Sequence, residues 1–196
     1  KKIPAIDIPT PVVFSSIPNA STGLTLSGQT MGSALNLSTE LFEEDRGGFG
    51  KLTIDNQDGT ILIPGGTPLI LPAGGKLDLS ARNVSIYSPI TAPGGQVSIV
   101  AFNIPSSVYK DPEFQDSLLT QLPSVGNGVG ILTLGSQANI DVSGSISDER
   151  PFSPVPSYMA RARNGGSVSL EGYSLQIDSA ASIQASGGAM INPKGK

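Results

Sequence analysis

Short apolar alternations, separated by small or turn-forming residues, run along most of this chain. They are clearest in residues 74–95, a stretch that opens and closes on a Gly-Gly pair. Within it the apolar positions are Leu77 and Leu79, then Val84 and Ile86, then Ile90. Side chains of a strand alternate with a period of two, so the stretch predicts three half-buried strands of two to four residues. It looks like one unit of a repeat.

The same pattern recurs on both sides of this stretch, and each alternation is bounded by Gly, Pro, Asp, Asn or Ser, as strands commonly are. Further strands are predicted at 24–26, 35–37, 52–54, 61–63, 69–71, 97–101, 131–134, 138–142, 145–146, 167–170, 175–178 and 181–184. The spacing between equivalent glycines is also regular. Gly74 and Gly94 are 20 residues apart, and Gly165 and Gly187 are 22 apart.

The period decides the predicted fold class. Repeats of roughly 20 to 50 residues are typical of solenoids, propellers and arrays. Three strands in so short a unit are too few for a four-stranded propeller blade. Leucine-rich repeats have a similar length, but their Leu-rich consensus with a buried Asn does not recur here. We therefore predict an all-β fold, a parallel β-helix solenoid in which each unit forms one triangular coil of about three short strands and successive coils lie about 4.8 Å apart.

Three stretches depart from the repeat. Four prolines in residues 1–23 predict an extended leader or an edge strand, which includes the apolar run Val12-Val13-Phe14. Residues 103–129 and 147–164 are predicted to be excursions from the side of the β-helix. The whole chain, residues 1–196, is then a single β-helical segment.

Two short helices are predicted outside the strands. Residues 38–45 combine a Ser or Thr N-cap with acidic residues in the first turn, and a Gly-Gly pair follows. Residues 111–122 place Phe114, Leu118 and Leu122 at four-residue spacing, as an amphipathic helix would. The second helix lies inside the first excursion.

Composition excludes several function classes. Charged residues make up 14% of the chain and the net charge is -4, so there is no basic field to attract nucleic acid or an anionic membrane surface. No apolar run approaches the roughly 20 residues of a membrane-spanning helix. We predict neither nucleic acid as a partner nor a membrane span.

The absent residue types narrow the chemistry further. The chain has no cysteine and no histidine, which removes disulfides, thiolate metal sites and the commonest general base. It begins at Lys1 without a signal-peptide pattern, which indicates a processed product or a piece of something longer. We predict no catalytic residue, no metal site and no cofactor.

Four short motifs resemble a known family. They are Gly47-Gly48-Phe49-Gly50 after a short helix, residues 74–81, residues 138–144 and residues 165–170. In these motifs, over roughly residues 24–196, the chain resembles the large filamentous haemagglutinin-type exoproteins. The resemblance implies a long right-handed β-helix at the bacterial cell surface, secreted through an outer-membrane two-partner transporter and serving in adhesion. The motifs of the family's amino-terminal secretion domain are missing, which predicts an interior or shaft segment.

Two carboxylates are a candidate site, because parallel β-helices also carry polysaccharide lyases and hydrolases. Asp141 and Asp178 occupy comparable places in what look like second strands, one ladder step apart if their coils are adjacent. Such a pair could supply an acid and a nucleophile, or hold a cation. We favour the alternative that both aspartates are solvated residues on the outward face.

Residues 55–59 resemble a calcium loop but lack its alternating acids, so we predict a turn.

Candidate recognition residues lie in or beside the two excursions. Aromatic side chains with a polar tip suit carbohydrate stacking or protein recognition, and arginines suit an acidic glycan. The candidates are Tyr109, Phe114, Arg150, Phe152, Tyr158, Arg161 and Arg163. The alternative is that the aromatics fix the loops to the flank and that the arginines are solvated.

The leading hypothesis is a non-enzymatic structural or adhesive shaft segment, secreted or on the bacterial surface, whose loops recognise a host or bacterial surface protein or glycan. A carbohydrate-active β-helix, either lyase or hydrolase, is the first alternative. A phage tailspike-like fibre is the second, and it predicts an apolar outer face and a trimer.

Overall fold

The predicted alternations form short strands, and the protein is all-β with sheets that are almost entirely parallel. The computed structural model describes residues 11–15, 25–26, 29–30, 35–42, 49–57, 59–103, 128–150, 164–192 and 194. Over these ranges the one helical element is a turn of 3-10 helix at Thr39–Phe42. The same ranges contain no helix long and apolar enough to cross a membrane.

The described strands are short, from two to six residues each. In chain order they are β1 (Val12–Ser15), β2 (Thr25–Leu26), β3 (Gln29–Thr30), β4 (Leu35–Ser38), β5 (Lys51–Asp55), β6 (Thr60–Ile63), β7 (Leu69–Ile70), β8 (Lys76–Ala81), β9 (Asn83–Ile86), β10 (Ile90–Thr91), β11 (Gln96–Ala101), β12 (Ile131–Leu134), β13 (Asn139–Asp141), β14 (Ile146–Asp148), β15 (Ser167–Gly172), β16 (Ser174–Ile177), β17 (Ser182–Gln184) and β18 (Ala189–Ile191).

Three parallel sheets contain most of these strands. Sheet 1 has the order β5-β8-β11-β15, sheet 2 the order β4-β1-β6-β9-β12-β16, and sheet 3 the order β7-β10-β13-β17. The chain therefore passes through sheets 1, 2 and 3 in turn, four times. We name these passes repeat 1 (β5–β7), repeat 2 (β8–β10), repeat 3 (β11–β13) and repeat 4 (β15–β17). Outside the three sheets, β14 pairs with β18 in parallel and β2 pairs with β3 in antiparallel fashion.

Equivalent residues of successive repeats lie directly over one another. In sheet 1, one inward column consists of Leu52, Leu77, Val97 and Val168. In sheet 1 the inward residues of repeats 2 and 3 are fully buried, and they alternate with exposed or half-buried neighbours that are polar except for Val100. Burying each such side chain contributes about 1.5 to 3 kcal/mol. The alternation read from the sequence is therefore the pattern of a continuous core shared by all four repeats.

The Gly-Gly pairs form the turns between sheet 3 and sheet 1. Gly74 and Gly94 both have positive φ, at 76° and 62°, a region that glycine adopts without a steric penalty. The next residue closes each turn, because Gly75 N–H donates to the carbonyl of Pro72 and Gly95 N–H to that of Ala92, both at 2.8 Å. The two turns stack, with Gly95 directly over Gly75.

The 3-10 helix covers the core at the repeat 1 end. Ser38 Oγ accepts a hydrogen bond from Glu40 N–H at 3.2 Å, which satisfies a donor of the first turn as predicted for a capping residue. Phe42 is buried and its ring stacks on Phe14, with centroids 6.5 Å apart. The predicted helix over 38–45 is thus one 3-10 turn where it is described, and residues 43–48 lie outside the described ranges.

Strand β1 is an internal strand, not the predicted edge strand. It pairs with β4 on one side and with β6 on the other, both in parallel. This placement is possible because residues 12–15 contain no proline, so every backbone N–H can donate to a neighbouring strand. Val13 faces outward on the same row as Leu62, and both are buried.

Much of the two predicted excursions lies outside the described residues. This applies to residues 104–127, including the helix predicted over 111–122, and to residues 151–163. The start of the second excursion is different from the prediction, because Ser147 and Asp148 belong to β14. That strand pairs with β18, which the apolar pattern did not reveal.

Asn83 holds the chain where it returns from the first excursion. Its Nδ2 donates to the carbonyl of Gly128 at 3.0 Å, and its Oδ1 accepts from Ile131 N–H at 2.9 Å. We expect Asn83→Ala to lower the free energy of unfolding by about 1 kcal/mol, because the partly buried Ile131 N–H and the exposed Gly128 carbonyl lose their partner. Urea unfolding measures this loss.

The matched control is Asn139→Ala, which removes one exposed contact, to Ser182 Oγ. It should cost less than about 0.5 kcal/mol, as exposed substitutions usually do. If the two variants lost the same stability, Asn83 would have no special part in anchoring β12.

Candidate functional site

The structure describes one of the seven predicted recognition residues. Arg150 lies just beyond β14, at the point where the chain leaves for the second excursion. The other six lie outside the described residues. They are Tyr109, Phe114, Phe152, Tyr158, Arg161 and Arg163. Their role in recognition stays a prediction.

Arg150 forms a two-pronged ion pair with Asp148. Its Nη2 donates to Asp148 Oδ2 at 2.6 Å, its Nε to Oδ1 at 2.9 Å, and its backbone N–H to Oδ1 at 3.1 Å. The Asp148 side chain is 9% exposed and that of Arg150 is 53% exposed. Such a planar fork fixes both groups in one geometry. The pair therefore ties Arg150 to the last residue of β14.

The ion pair also keeps Arg150 charged. Hydrogen bonding to Asp148, followed by its negative charge, raises the pKa of Arg150 above its ordinary value, against a smaller opposing effect of burial. A raised pKa stabilises the fold below the value in the unfolded chain, and that stabilisation is lost only as the pH rises through the folded value. Both lie far above neutrality, so we expect no change of charge at Arg150 across the physiological range.

Asp141 and Asp178 do not form a pair. Asp141 lies in β13 of sheet 3, where its neighbours are Thr91 and Gln184. Asp178 follows β16 of sheet 2, and its N–H donates to the carbonyl of Leu134. Each carboxylate instead accepts a backbone N–H two residues ahead, Asp141 from Ser143 and Asp178 from Ala180, and so shapes a turn.

The prediction assigned Asp141 to the wrong strand of its repeat for a definite reason. In the sequence, residues 138–142 look like a second strand. In the structure, the first strand of repeat 3 is β11, before the excursion, so β12 is the second strand and β13 the third. The first excursion interrupts repeat 3 between its first and second strands and does not separate two units.

The stretch from Asp55 is a turn. Asp55 Oδ1 accepts from Ser80 Oγ at 3.0 Å and from Gln57 N–H at 3.3 Å, and Gln57 itself has a φ of 34°. Across the described ranges, no group of three or more acidic residues is placed to hold a metal ion.

The outer face of sheet 1 is the polar surface that sequence reasoning did not single out. Asp78 lies at its centre, where it accepts from Thr53 Oγ1 at 3.4 Å and pairs with Lys76 Nζ at 3.5 Å. A shallow hollow of about 120 Å³ beside it is lined by Thr53, Ile54, Asp78, Leu79, Ser80, Ser98 and Val100. Small-molecule sites usually enclose about 300 to 1,000 Å³. The sequence did contain a signal for this face, namely the polar residues that alternate with the apolar ones at equivalent positions of successive repeats.

This face can make many weak polar contacts. Its rows mix both charges with hydroxyls, since Lys51 aligns with Lys76, and Thr53 with Asp78 and Ser98. Comparison with known proteins adds no assignment to this geometry: no family model, no curated protein and no solved structure matches the chain.

Proposed function

We propose that the four repeats form a right-handed parallel β-helix, and that the chain is a structural and adhesive shaft segment of a secreted or surface-exposed bacterial exoprotein of the filamentous haemagglutinin type. One observation carries the proposal. Four repeats stack in register on three parallel ladders, with equivalent apolar residues in line. A core of this kind extends along an axis by adding units.

The outer surface supports the same proposal. Sheet 1 presents hydroxyls and charges of both signs, with Lys76 and Asp78 paired on the surface. Such a face stays hydrated and discourages lateral association of the sheets. This also favours the shaft over a tailspike-like trimer, which would need an apolar outer face. In the proposal, a two-partner transporter in the outer membrane exports the full-length parent.

Recognition is assigned to the second excursion. Arg150 is fixed by Asp148 at its base, and Phe152, Tyr158, Arg161 and Arg163 follow within it in the sequence. Loops on a rigid scaffold commonly carry binding residues. The proposed ligand is an acidic glycan or a surface protein of a host or bacterial cell.

Binding to immobilised acidic polysaccharides, measured by surface plasmon resonance, tests this assignment. The double variant Arg161→Ala/Arg163→Ala should weaken binding about tenfold or more, because a hydrogen bond to a charged group contributes about 1.5 to 3 kcal/mol. Arg150 is left intact in this variant, since its loss would remove the two-pronged ion pair from the nearly buried Asp148.

The matched control is Lys51→Ala/Lys76→Ala, which removes the same charge from the outer face of sheet 1. An equal loss in both variants would indicate non-specific attraction and contradict the assignment to the excursion. Depolymerisation of the polysaccharide during the assay would instead support the carbohydrate-active alternative. A trimer in light scattering would support the tailspike-like one.

A further inference from the structure

The stack has an uncovered apolar end at repeat 4. Leu175 is 49% exposed, whereas its counterpart Leu132 in repeat 3 is fully buried. Ile177 is 53% exposed against 1% for Leu134, and Ile183 is 47% exposed against 0% for Ile140. These pairs occupy the same inward positions. The exposed residues are therefore core residues that lack the next layer.

The backbone at this end is also open. β15, β16 and β17 are each the last strand of their sheet, so within the described part of the chain one side of each strand has no ladder partner. Open strand edges are templates for pairing with another strand, and natural proteins usually cover them. The apolar residues and the free edges together form one surface, which we call the repeat 4 end.

The course of the chain after repeat 4 follows that after repeat 3. After β13 the chain enters β14, leaves for the second excursion and returns at Gly165 to begin β15. After β17 it enters β18, which lies on β14 with Ile191 opposite Asp148. β18 thus pairs with β14 and not with β15, so among the described strands none covers the outer edge of β15.

We propose that the repeat 4 end is the stacking surface for a fifth repeat, supplied by polypeptide that follows β18. This inference rests on the proposed function, because it extends the same β-helix. The fifth repeat adds three parallel strands to β15, β16 and β17. Its inward apolar residues cover Leu175, Ile177 and Ile183 as repeat 4 covers Leu132, Leu134 and Ile140.

A second copy of this chain fits the surface less well. Two copies joined end to end by a twofold axis would run their strands antiparallel, whereas every pairing within sheets 1 to 3 is parallel. Head-to-tail stacking would need an open core at the other end. There, Phe14 and Phe42 are fully covered.

A tandem duplication tests the proposal on the full chain. A copy of residues 149–192 is attached directly after Ile191, so that the duplicated excursion starts at the position equivalent to its natural one. We expect amide exchange in β15, β16 and β17 to slow by about tenfold or more, because these strands change from an edge to an interior position.

Two variants of the duplicated protein control for non-specific effects. Leu175→Lys/Ile177→Lys in the original repeat 4 should abolish the added protection, since these residues face the new layer. Gln176→Lys, on the outward face between them, should keep it. Unchanged exchange in the duplicated protein would overturn the proposal. So would a dimer of the 196-residue chain that Ile177→Lys dissolves, because the occupant would then be a second copy.

The two proposals fail in different ways. Absence of glycan binding by the unsubstituted chain, or cleavage of the polysaccharide, would remove the adhesive function and leave the exchange result untouched. Failure of the duplicated repeat to protect β15, β16 and β17 would remove the stacking surface and leave the binding result untouched.

Discussion

Gly166→Ala should lower the free energy of unfolding by about 3 kcal/mol, at the upper end of the usual cost of overfilling a packed site. A Cβ at this position would overlap the carbonyl oxygen of Gly95 in the repeat below. The obstacle is backbone that belongs to the ladder, since Ser167 N–H donates to the same carbonyl at 3.0 Å. It can move aside only if that hydrogen bond is lost. Urea unfolding followed by circular dichroism measures the change.

Gly50→Ala is the matched control in the same column of glycines. Its carbonyl accepts from Lys76 N–H at 2.8 Å, as that of Gly95 accepts from Ser167, yet no heavy atom lies within 4 Å of a Cβ placed there. We expect a change within about 0.5 kcal/mol. Equal destabilisation by both substitutions would mean that the stacking of repeats 3 and 4 does not exclude a side chain at Gly166.

Leu132→Ala should cost about 2 to 5 kcal/mol, the usual range for removing a buried leucine. Leu132 is fully buried and lies between Val84 of repeat 2 and Leu175 of repeat 4. The substitution would leave a cavity enclosed by layers on both sides. The surrounding ladders are hydrogen-bonded on both edges and cannot collapse to fill it.

Leu175→Ala provides the comparison, because it is the same residue type in the same column, one repeat further along and 49% exposed. We expect less than half the cost of Leu132→Ala, since solvent reaches the site and no closed cavity forms. Chemical unfolding of both variants at one pH and temperature gives the difference. Equal costs would contradict the view that the repeat 4 end is uncovered. In the duplicated protein, the cost at Leu175 should rise towards that at Leu132.

The alternation of apolar residues was sufficient to predict most strands. Leu77 and Leu79, or Val84 and Ile86, have a period of two that only a strand half buried in a core satisfies. The Gly-Gly pairs were equally informative, because the turn at Gly94 needs a positive φ. Both features are local, and a local feature can be read from a short stretch of sequence.

Three arrangements could not be predicted in this way. β1 is inserted between β4 and β6, β18 pairs with β14, and the first excursion divides repeat 3 between β11 and β12. Each depends on which strand lies beside which, and the apolar alternation within one strand does not specify the strand that pairs with it. Asp141 and Asp178 were misplaced for the same reason. Their local sequences are alike, but their positions differ by one sheet.

The amino-acid sequence by itself determined that this protein is made of short strands joined by tight turns, because backbone φ preferences and side-chain periodicity act over a few residues. Tertiary structure alone decided which residues became the core of the stack and which became its open end. Leu132 and Leu175 look alike in the sequence, yet one is covered by a following layer and the other is not. Burial depends on the strand packed alongside, and that strand can come from any distance along the chain.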